Sequence, residues 1–466
     1  MLGPFGFAVT AVAALYSVSL LPKSDELRQY DCSILTNLKY SGWNLGPSLD
    51  EDGFVDIRDL KHGQMRVLRP KATKGGCLHG HDYAFLVRRG RLNRVVVEFQ
   101  GGGACWNSKS CFDADNMKYT DVSMLDLKVP YIGIAAVDCS MWNSYHSKYL
   151  DGLIDKNIQN NPVSDWSYIL ITYCTKDLHL GNASRAYKSL ATNASVVFGH
   201  QGLNNANVAL DWVKKQFPSP AKLLITGCSA GAIAAGVHGA SLSKYYAQHS
   251  PRTDIKVLGD GFMMLTTEPF VRKGLLSWGL PGACALWELA VRGGAMVNST
   301  TSKINHDYGW HVWKGITSTV AEHGGSTSVV SSVFDSVQRH FLRMMHPGEG
   351  GIGANANQVG LRILDRIDVV DSAIIFGGEG HCETALSLVT NEAEVSAQDY
   401  ESSQRFLLEL FSEDFVPQPY VCTSCSSATI YGCDNILGSG ALEDECGNCN
   451  SSVPCSFQEL DWPQRC

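Results

Sequence analysis

Excess positive charge is absent from this sequence. Its 38 Lys and Arg are outnumbered by 46 Asp and Glu, giving a net charge of −8. That balance argues against a nucleic-acid partner, because gripping a phosphate backbone calls for a basic patch. Internal repeats and long low-complexity tracts are missing as well, so the chain is neither a repeat array nor a disordered polymer. Charged residues make up only 18% of the 466 positions against 44% hydrophobic, the balance of a soluble globular protein. The length allows one large domain or two ordinary ones, with ample chain for a core.

The N-terminus lacks the basic residues that usually open a secretory leader. It carries instead a largely apolar, uncharged run, GPFGFAVTAVAALYSVSLL, ending before Lys23, Asp25 and Glu26. Residues 1–22 read as a signal peptide, with small residues near Ser17 to Ser19 as cleavage positions. An uncleaved anchor is the alternative, the run being near the lower limit for a bilayer span. Cysteine, by contrast, is plentiful. Sixteen cysteines fit an oxidising compartment, where such a load is held as disulfides. N-x-S/T sequons at Asn182, Asn193, Asn298 and Asn450 point the same way. The expected location is extracellular.

The stretch that carries chemistry is Leu223 to Ala234, LLITGCSAGAIA. An apolar run predicts a strand, Gly227-Cys228-Ser229-Ala230-Gly231 a sharp turn, and the Ala-rich continuation a helix. This is the G-x-S-x-G nucleophile elbow in its required context, with Ser229 projected above the sheet edge.

Upstream, YAFLV (83–87) and Val95 to Phe99 read as two strands joined through RRGRLNR into a hairpin. The second runs into Gln100-Gly101-Gly102-Gly103-Ala104-Cys105-Trp106-Asn107. Three glycines leave backbone N–H groups uncovered, as a developing oxyanion requires. Cys105 and Cys111 are close enough in sequence to close this loop, although pairing is not deducible from spacing.

Further strands are predicted at Tyr131 to Val137, Tyr168 to Tyr173 and Ile255 to Leu258. The second leads into the polar turn Cys174-Thr175-Lys176-Asp177-Leu178-His179, and such turns at strand ends often line sites in open α/β sheets. Leu203 to Phe217 carries apolar residues at helical spacing. From Thr266 to Gly325 the pattern is mixed and mostly helical, with Trp278, Trp287, Trp310 and Trp313 assigned to packing. Ser326 to Met345 reads as a helix interrupted at Asp335, and Pro347 to Gly360 as a glycine-rich loop. A late strand, Asp371 to Phe376, ends in Gly377-Gly378-Glu379-Gly380-His381-Cys382. That is where an α/β-hydrolase places its general base, so His381 is the candidate.

From about Pro417 the composition changes to a cysteine-rich tail. Cys422-x-x-Cys425 and Cys446-x-x-Cys449 stand 20 residues apart, within the zinc-ribbon template. The leader and the cysteine load favour a disulfide-stapled tail over zinc.

Elbow, glycine loop and late histidine together resemble the pectin acetylesterase family, which includes Notum, and most closely its bacterial-type members. The matching stretches are FQGGGACWN, YCTKDLHLG, NANVALDWVKKQFPSPAKLLITGCSAG and GHC, spanning roughly Cys77 to Thr390. The resemblance implies an α/β-hydrolase-like, doubly wound and mostly parallel sheet. It also implies removal of an acyl group from an O-ester by Ser, His and Asp. Carried over, Ser229 is the nucleophile, His381 the base, and the N–H groups of Gly102, Gly103 and Ala230 the oxyanion hole.

The family's acid lies in a Y-D-x-W-Q-like segment, which Val333-Phe334-Asp335-Ser336-Val337-Gln338 resembles with Phe for Tyr and Val for Trp. Asp335 is therefore preferred to Asp260, which fits the chain order but stands one position later than the family's D-x-G-F. Asp365, Asp368 and Asp371 are further options.

The expected layout is a leader over 1–22, a catalytic domain over 30–415 and the tail over 416–466. The expected protein is a monomeric secreted esterase that needs no metal or organic cofactor. It would act on an acetylated polysaccharide such as pectin, without nucleic-acid or, after cleavage, membrane partners. Two alternatives stay open: a Notum-like deacylase of a lipidated protein, and a non-catalytic binding protein on the same fold.

Overall fold

A computed structural model describes residues 56–68, 70, 76–80, 83–112, 161–190, 192–267, 270–295, 308–345, 356–382, 406, 410 and 420–421. The leader, the strand expected at Tyr131 to Val137, Asn298, Asn450 and nearly all of the cysteine-rich tail lie outside these residues.

The described strands are β1 (Met65–Leu68), β2 (Phe85–Arg88), β3 (Arg94–Phe99), β4 (Ser167–Ile171), β5 (Ala183–Lys188), β6 (Ser195–His200), β7 (Lys222–Cys228), β8 (Asp254–Asp260), β9 (Ser326–Ser332), β10 (Ser372–Phe376) and β11 (Tyr420–Val421). Nine of them form one sheet in the order β1-β2-β4-β3-β7-β8-β9-β10-β11, while β5 and β6 pair as a separate antiparallel ribbon. In the large sheet β2 runs against β1 and β4, and every other neighbouring pair is parallel. β4, β7 and β10 are buried almost throughout. That explains why they read as continuous apolar runs rather than alternating ones.

The α-helices of five or more residues are α1 (Ser108–Phe112), α2 (Gly202–Gln216), α3 (Ala230–His249), α4 (Leu280–Arg292), α5 (Tyr308–Glu322), α6 (Ser336–Met345) and α7 (Ala356–Asp365). α3 follows β7 directly and is buried along most of its length. Its small residues let it lie close against the sheet. Trp278, Trp287 and Trp313 are buried in the core and Trp310 packs on its edge. Among the described residues no helix is long and apolar enough to cross a membrane. Asn182 and Asn193 are both exposed.

Three expectations are corrected. β2 and β3 do not form a hairpin, because β4 lies between them. The N–H groups of Arg91 and Leu92 donate to the Asp165 carbonyl at 2.8 and 3.2 Å, and Gly90 N–H to Ser167 Oγ at 3.0 Å, so the connecting turn clasps the start of β4. Ser326–Ser332 is a strand, not the first half of a helix. Its Thr and Val residues are β-branched, and it pairs in parallel with β8 and β10. Finally, residues 356–360, expected in a loop, begin α7, whose Gln358, Val359, Leu361 and Ile363 are buried.

The strand order places the loops of interest together. β4 and β7 lie on opposite sides of β3, so the connections after β3 and β7 leave a crevice at the carboxyl ends of the strands, the usual ligand position in open α/β sheets.

Candidate active site

Ser229 follows β7 with φ 56° and ψ −122°, a conformation that L-residues rarely adopt. Serine is a favoured helix N-cap, yet Ser229 stands at the N-cap of α3 without a side-chain capping bond. Its own N–H donates to the Asp260 carbonyl at 2.7 Å, which pins the elbow to the end of β8. The flanking glycines are required sterically. A Cβ on Gly227 would sit 2.4 Å from the Gly231 carbonyl oxygen, and one on Gly231 only 1.9 Å from the Phe99 carbonyl oxygen.

The glycine loop after β3 passes beside this turn. Gly102 and Gly103 have φ of 146° and 72°, open to glycine at little cost. Among the described residues nothing accepts a hydrogen bond from the N–H groups of Gly102, Gly103 or Ala230. Cys105 and Cys111 are joined as a disulfide, closing the loop's far side.

The turn after β4 forms the back of the loop. Tyr173 Oη donates to the Gly103 carbonyl at 3.0 Å and accepts the Leu178 N–H at 2.7 Å. The Asp177 carboxylate is fully buried and accepts from Thr175 Oγ1 at 2.7 Å, His179 N–H at 3.2 Å and Gly202 N–H at 2.7 Å. Burial raises its pKa to about 6 against these bonds. Burial likewise pushes His179 down to about 3, so the ring is neutral and its Nε2–H donates to the Gln100 carbonyl at 2.9 Å. Both groups brace the loop. Neither reaches the recess over Ser229.

Asp335 and His381 come from the ends of β9 and β10. The two exit loops are stitched together by Phe334 N–H to the Gly378 carbonyl at 3.0 Å and Ser336 N–H to the Glu379 carbonyl at 3.1 Å. His381 Nδ1 then lies 2.7 Å from Asp335 Oδ2. Asp335 is wholly buried and caps α6, its Oδ1 accepting the Val337 and Gln338 N–H groups at 2.9 Å each. The helix N-terminus favours negative charge there. Oδ2 also accepts from Gln338 Nε2 at 3.0 Å, and Gln338 Oε1 takes the Met263 N–H at 2.9 Å.

The other carboxylates are placed differently. Asp365 and Asp368 are exposed, and Asp371 Oδ2 accepts from Thr327 N–H and Oγ1. Asp260 is buried at the end of β8 and helps hold Glu98 up at about 8, burial being the larger cause.

A recess with about 350 Å³ of empty space, its open mouth included, brings together Gly103, Ser229, Ala230 and His381. Leu178, Phe262, Phe270, Phe341 and Met345 supply apolar walls. Gly102 is not among the residues that line the recess.

Two features went unread in the sequence. Cys228 and Cys382 form a disulfide between the residue before Ser229 and the residue after His381, and Cys77 pairs with Cys174. Connectivity has no sequence signal, so neither pairing was legible. Cys228, His381 and Cys382 bring three potential metal-ligand atoms within 4.8 Å, but sulfurs joined to each other offer no thiolate. Gln338 was visible in the Asp335 segment as the position matching the family's glutamine.

A mostly parallel sheet flanked by helices, with a serine elbow and a carboxylate–histidine pair at its carboxyl edge, is an α/β-hydrolase-like fold. Residues 58–277 match the model of the pectinacetylesterase family, which bears out the family resemblance over that stretch and supports an esterase- or deacetylase-type hydrolase. The matched segment holds the glycine loop and Ser229, while Asp335 and His381 lie beyond it. No curated protein matches the chain. Among solved structures the chain is similar to the Wnt deacylase Notum from Drosophila, with 16% identity, 74% of this chain and 94% of that chain covered, and a TM-score of 0.46.

Proposed function

We propose that the protein is a secreted serine ester hydrolase that removes O-acetyl groups from a polysaccharide. The observation that carries this reading is the meeting of Ser229, on its strained elbow, with the Asp335-held His381 at one mostly apolar recess. His381 takes the Ser229 proton as the oxygen attacks the ester carbonyl, and Asp335 orients the ring and stabilises the imidazolium that forms. The N–H groups of Gly102, Gly103 and Ala230 bond the tetrahedral oxyanion. The alcohol leaves with the histidine proton, and water then hydrolyses the acyl-enzyme.

A family described as pectinacetylesterase supports acetyl as the acyl group. The match of residues 58–277 to a family described as pectinacetylesterase supports a polysaccharide as the alcohol. Three disulfides among the described residues and the apolar leader support secretion.

The test is an ester series from acetyl to palmitoyl, run beside acetate release from acetylated pectin. The expected result is highest kcat/KM at two to four carbons, with acetate released from the polymer. Best activity at eight carbons or more favours the lipid-deacylase alternative, and inactivity on every ester favours a binding protein.

A further inference from the structure

The turn after β4 carries a cation that the mechanism above does not use. Lys176 is buried, with 8% of its surface exposed. Its Nζ donates to the Gly102 carbonyl at 3.4 Å, and its own carbonyl accepts the Cys105 N–H at 3.0 Å. Lys176 therefore grips the glycine loop at both ends. The turn that presents it is tightly specified. Lys176, Leu178 and His179 have φ of 56°, 57° and 58°, three uncommon conformations for non-glycine residues in four positions. The buried Asp177 carboxylate, with its three acceptor contacts, holds that geometry in place.

The Gly102 carbonyl and the Gly103 N–H belong to one peptide group. A donor on the oxygen draws electron density across the amide and makes its N–H a stronger donor, the cooperative effect of linked hydrogen bonds. When the donor is an ammonium the bond is charge-assisted. We propose that Lys176 is a positioning residue for the oxyanion hole: by donating to the Gly102 carbonyl it orients and polarises the Gly102–Gly103 peptide so that the Gly103 N–H bonds a developing oxyanion more strongly. Tyr173 braces the next peptide without a charge, through its 3.0 Å bond to the Gly103 carbonyl. This inference rests on the esterase reading and adds a residue to it. Lys176 does not line the recess over Ser229. Its effect belongs to the transition state, where negative charge appears on the carbonyl oxygen, and not to the bound ester.

The experiment compares wild type, Lys176→Met, Lys176→Gln, Lys176→Arg and Ser229→Ala on phenyl acetate. It also measures inhibition by a small trifluoromethyl ketone, which forms a tetrahedral oxyanion on the serine. For Lys176→Met, kcat is expected to fall about 10-fold, as for weakening one oxyanion donor, with KM within about twofold. Ketone affinity should fall by the same factor as kcat/KM, and Lys176→Arg should recover most of the loss. If Lys176→Met does not fold, the comparison of Lys176→Gln with Lys176→Arg carries the same expectation, because only the arginine keeps the charge.

Wild-type kcat in a folded Lys176→Met or Lys176→Gln overturns the proposal, as does a loss confined to KM or one that leaves ketone affinity unchanged. Ser229→Ala separates the two levels. An inactive Ser229→Ala beside a fully active Lys176→Met removes only the role of Lys176. Esterase activity that survives in Ser229→Ala, or is missing from wild type, removes the reading of the site on which that role depends.

Discussion

Cys228 and Cys382 are joined by a disulfide across 154 residues of chain, and each is the immediate neighbour of a proposed catalytic residue, Ser229 and His381. The bond fastens the turn after β10 to the elbow after β7. Gly261 sits against the same turn, where an added Cβ would stand 3.0 Å from His381 Nδ1. Covalent and steric contacts thus fix the histidine from two sides.

Replacing both cysteines with serine is expected to lower stability by about 2–5 kcal/mol, the usual contribution of a native disulfide, and to reduce kcat more than it raises KM. Denaturant melts and steady-state kinetics on phenyl acetate check this. Unchanged kcat in the double variant would mean that packing alone holds His381.

Asp335 accepts four hydrogen bonds, from His381, Gln338 Nε2 and the N–H groups of Val337 and Gln338. Asp335→Asn is expected to reduce kcat roughly 10³- to 10⁴-fold, because the amide favours the wrong histidine tautomer. Asp365→Asn and Asp368→Asn, at exposed positions, are expected to remain within about twofold of wild type, surface changes being nearly neutral. Equal losses at all three positions would contradict the placement of the acid.

Gly231→Ala puts a Cβ 1.9 Å from the Phe99 carbonyl oxygen, where backbone on both sides must move. Overpacking of this kind costs about 1–3 kcal/mol or more. The expected outcome is a lower melting temperature together with loss of activity, measured by thermal unfolding and ester hydrolysis. A variant with normal stability and activity would show that the elbow has more room than this geometry allows.

Glu98 gives a pH dependence with a definite sign. Burial and the neighbouring Asp260 carboxylate hold its pKa at about 8, against an ordinary value of 4.5. Between those values the folded state keeps a proton that the unfolded chain has released, so this residue's contribution to stability falls as pH rises from about 4.5 to about 8. Glu98→Gln carries a permanent neutral group, and its stability relative to wild type is expected to increase over that window. Denaturant melts at pH 5 and pH 8 measure the change. A constant difference would mean that Glu98 is ionised at both values.

Much of this arrangement is legible in the residues. LLITG, YILIT and SAIIF are uninterrupted apolar runs because their strands are covered on both faces, and the small residues around Ser229 announce a turn that tolerates no Cβ. The strand Ser326–Ser332 was hidden because four of its seven residues are serines, which blunt both strand and helix patterns. The insertion of β4 between β2 and β3 left no trace in either strand, since pairing partners are chosen by the sheet and not by neighbours in sequence. Lys176 was visible as part of a polar turn, but a side chain that bonds a backbone carbonyl 74 residues away has no spacing to recognise. Asp335 was reached through a partial segment match, and only the meeting of two exit loops explains why that carboxylate faces the histidine.

The most direct test of the proposed chemistry is labelling the intact protein with a fluorophosphonate, followed by peptide mapping of the adduct. One phosphonyl group on Ser229 is expected, with labelling and ester hydrolysis both lost in Ser229→Ala. An adduct on another residue, or hydrolysis that persists at the wild-type rate in Ser229→Ala, would contradict it.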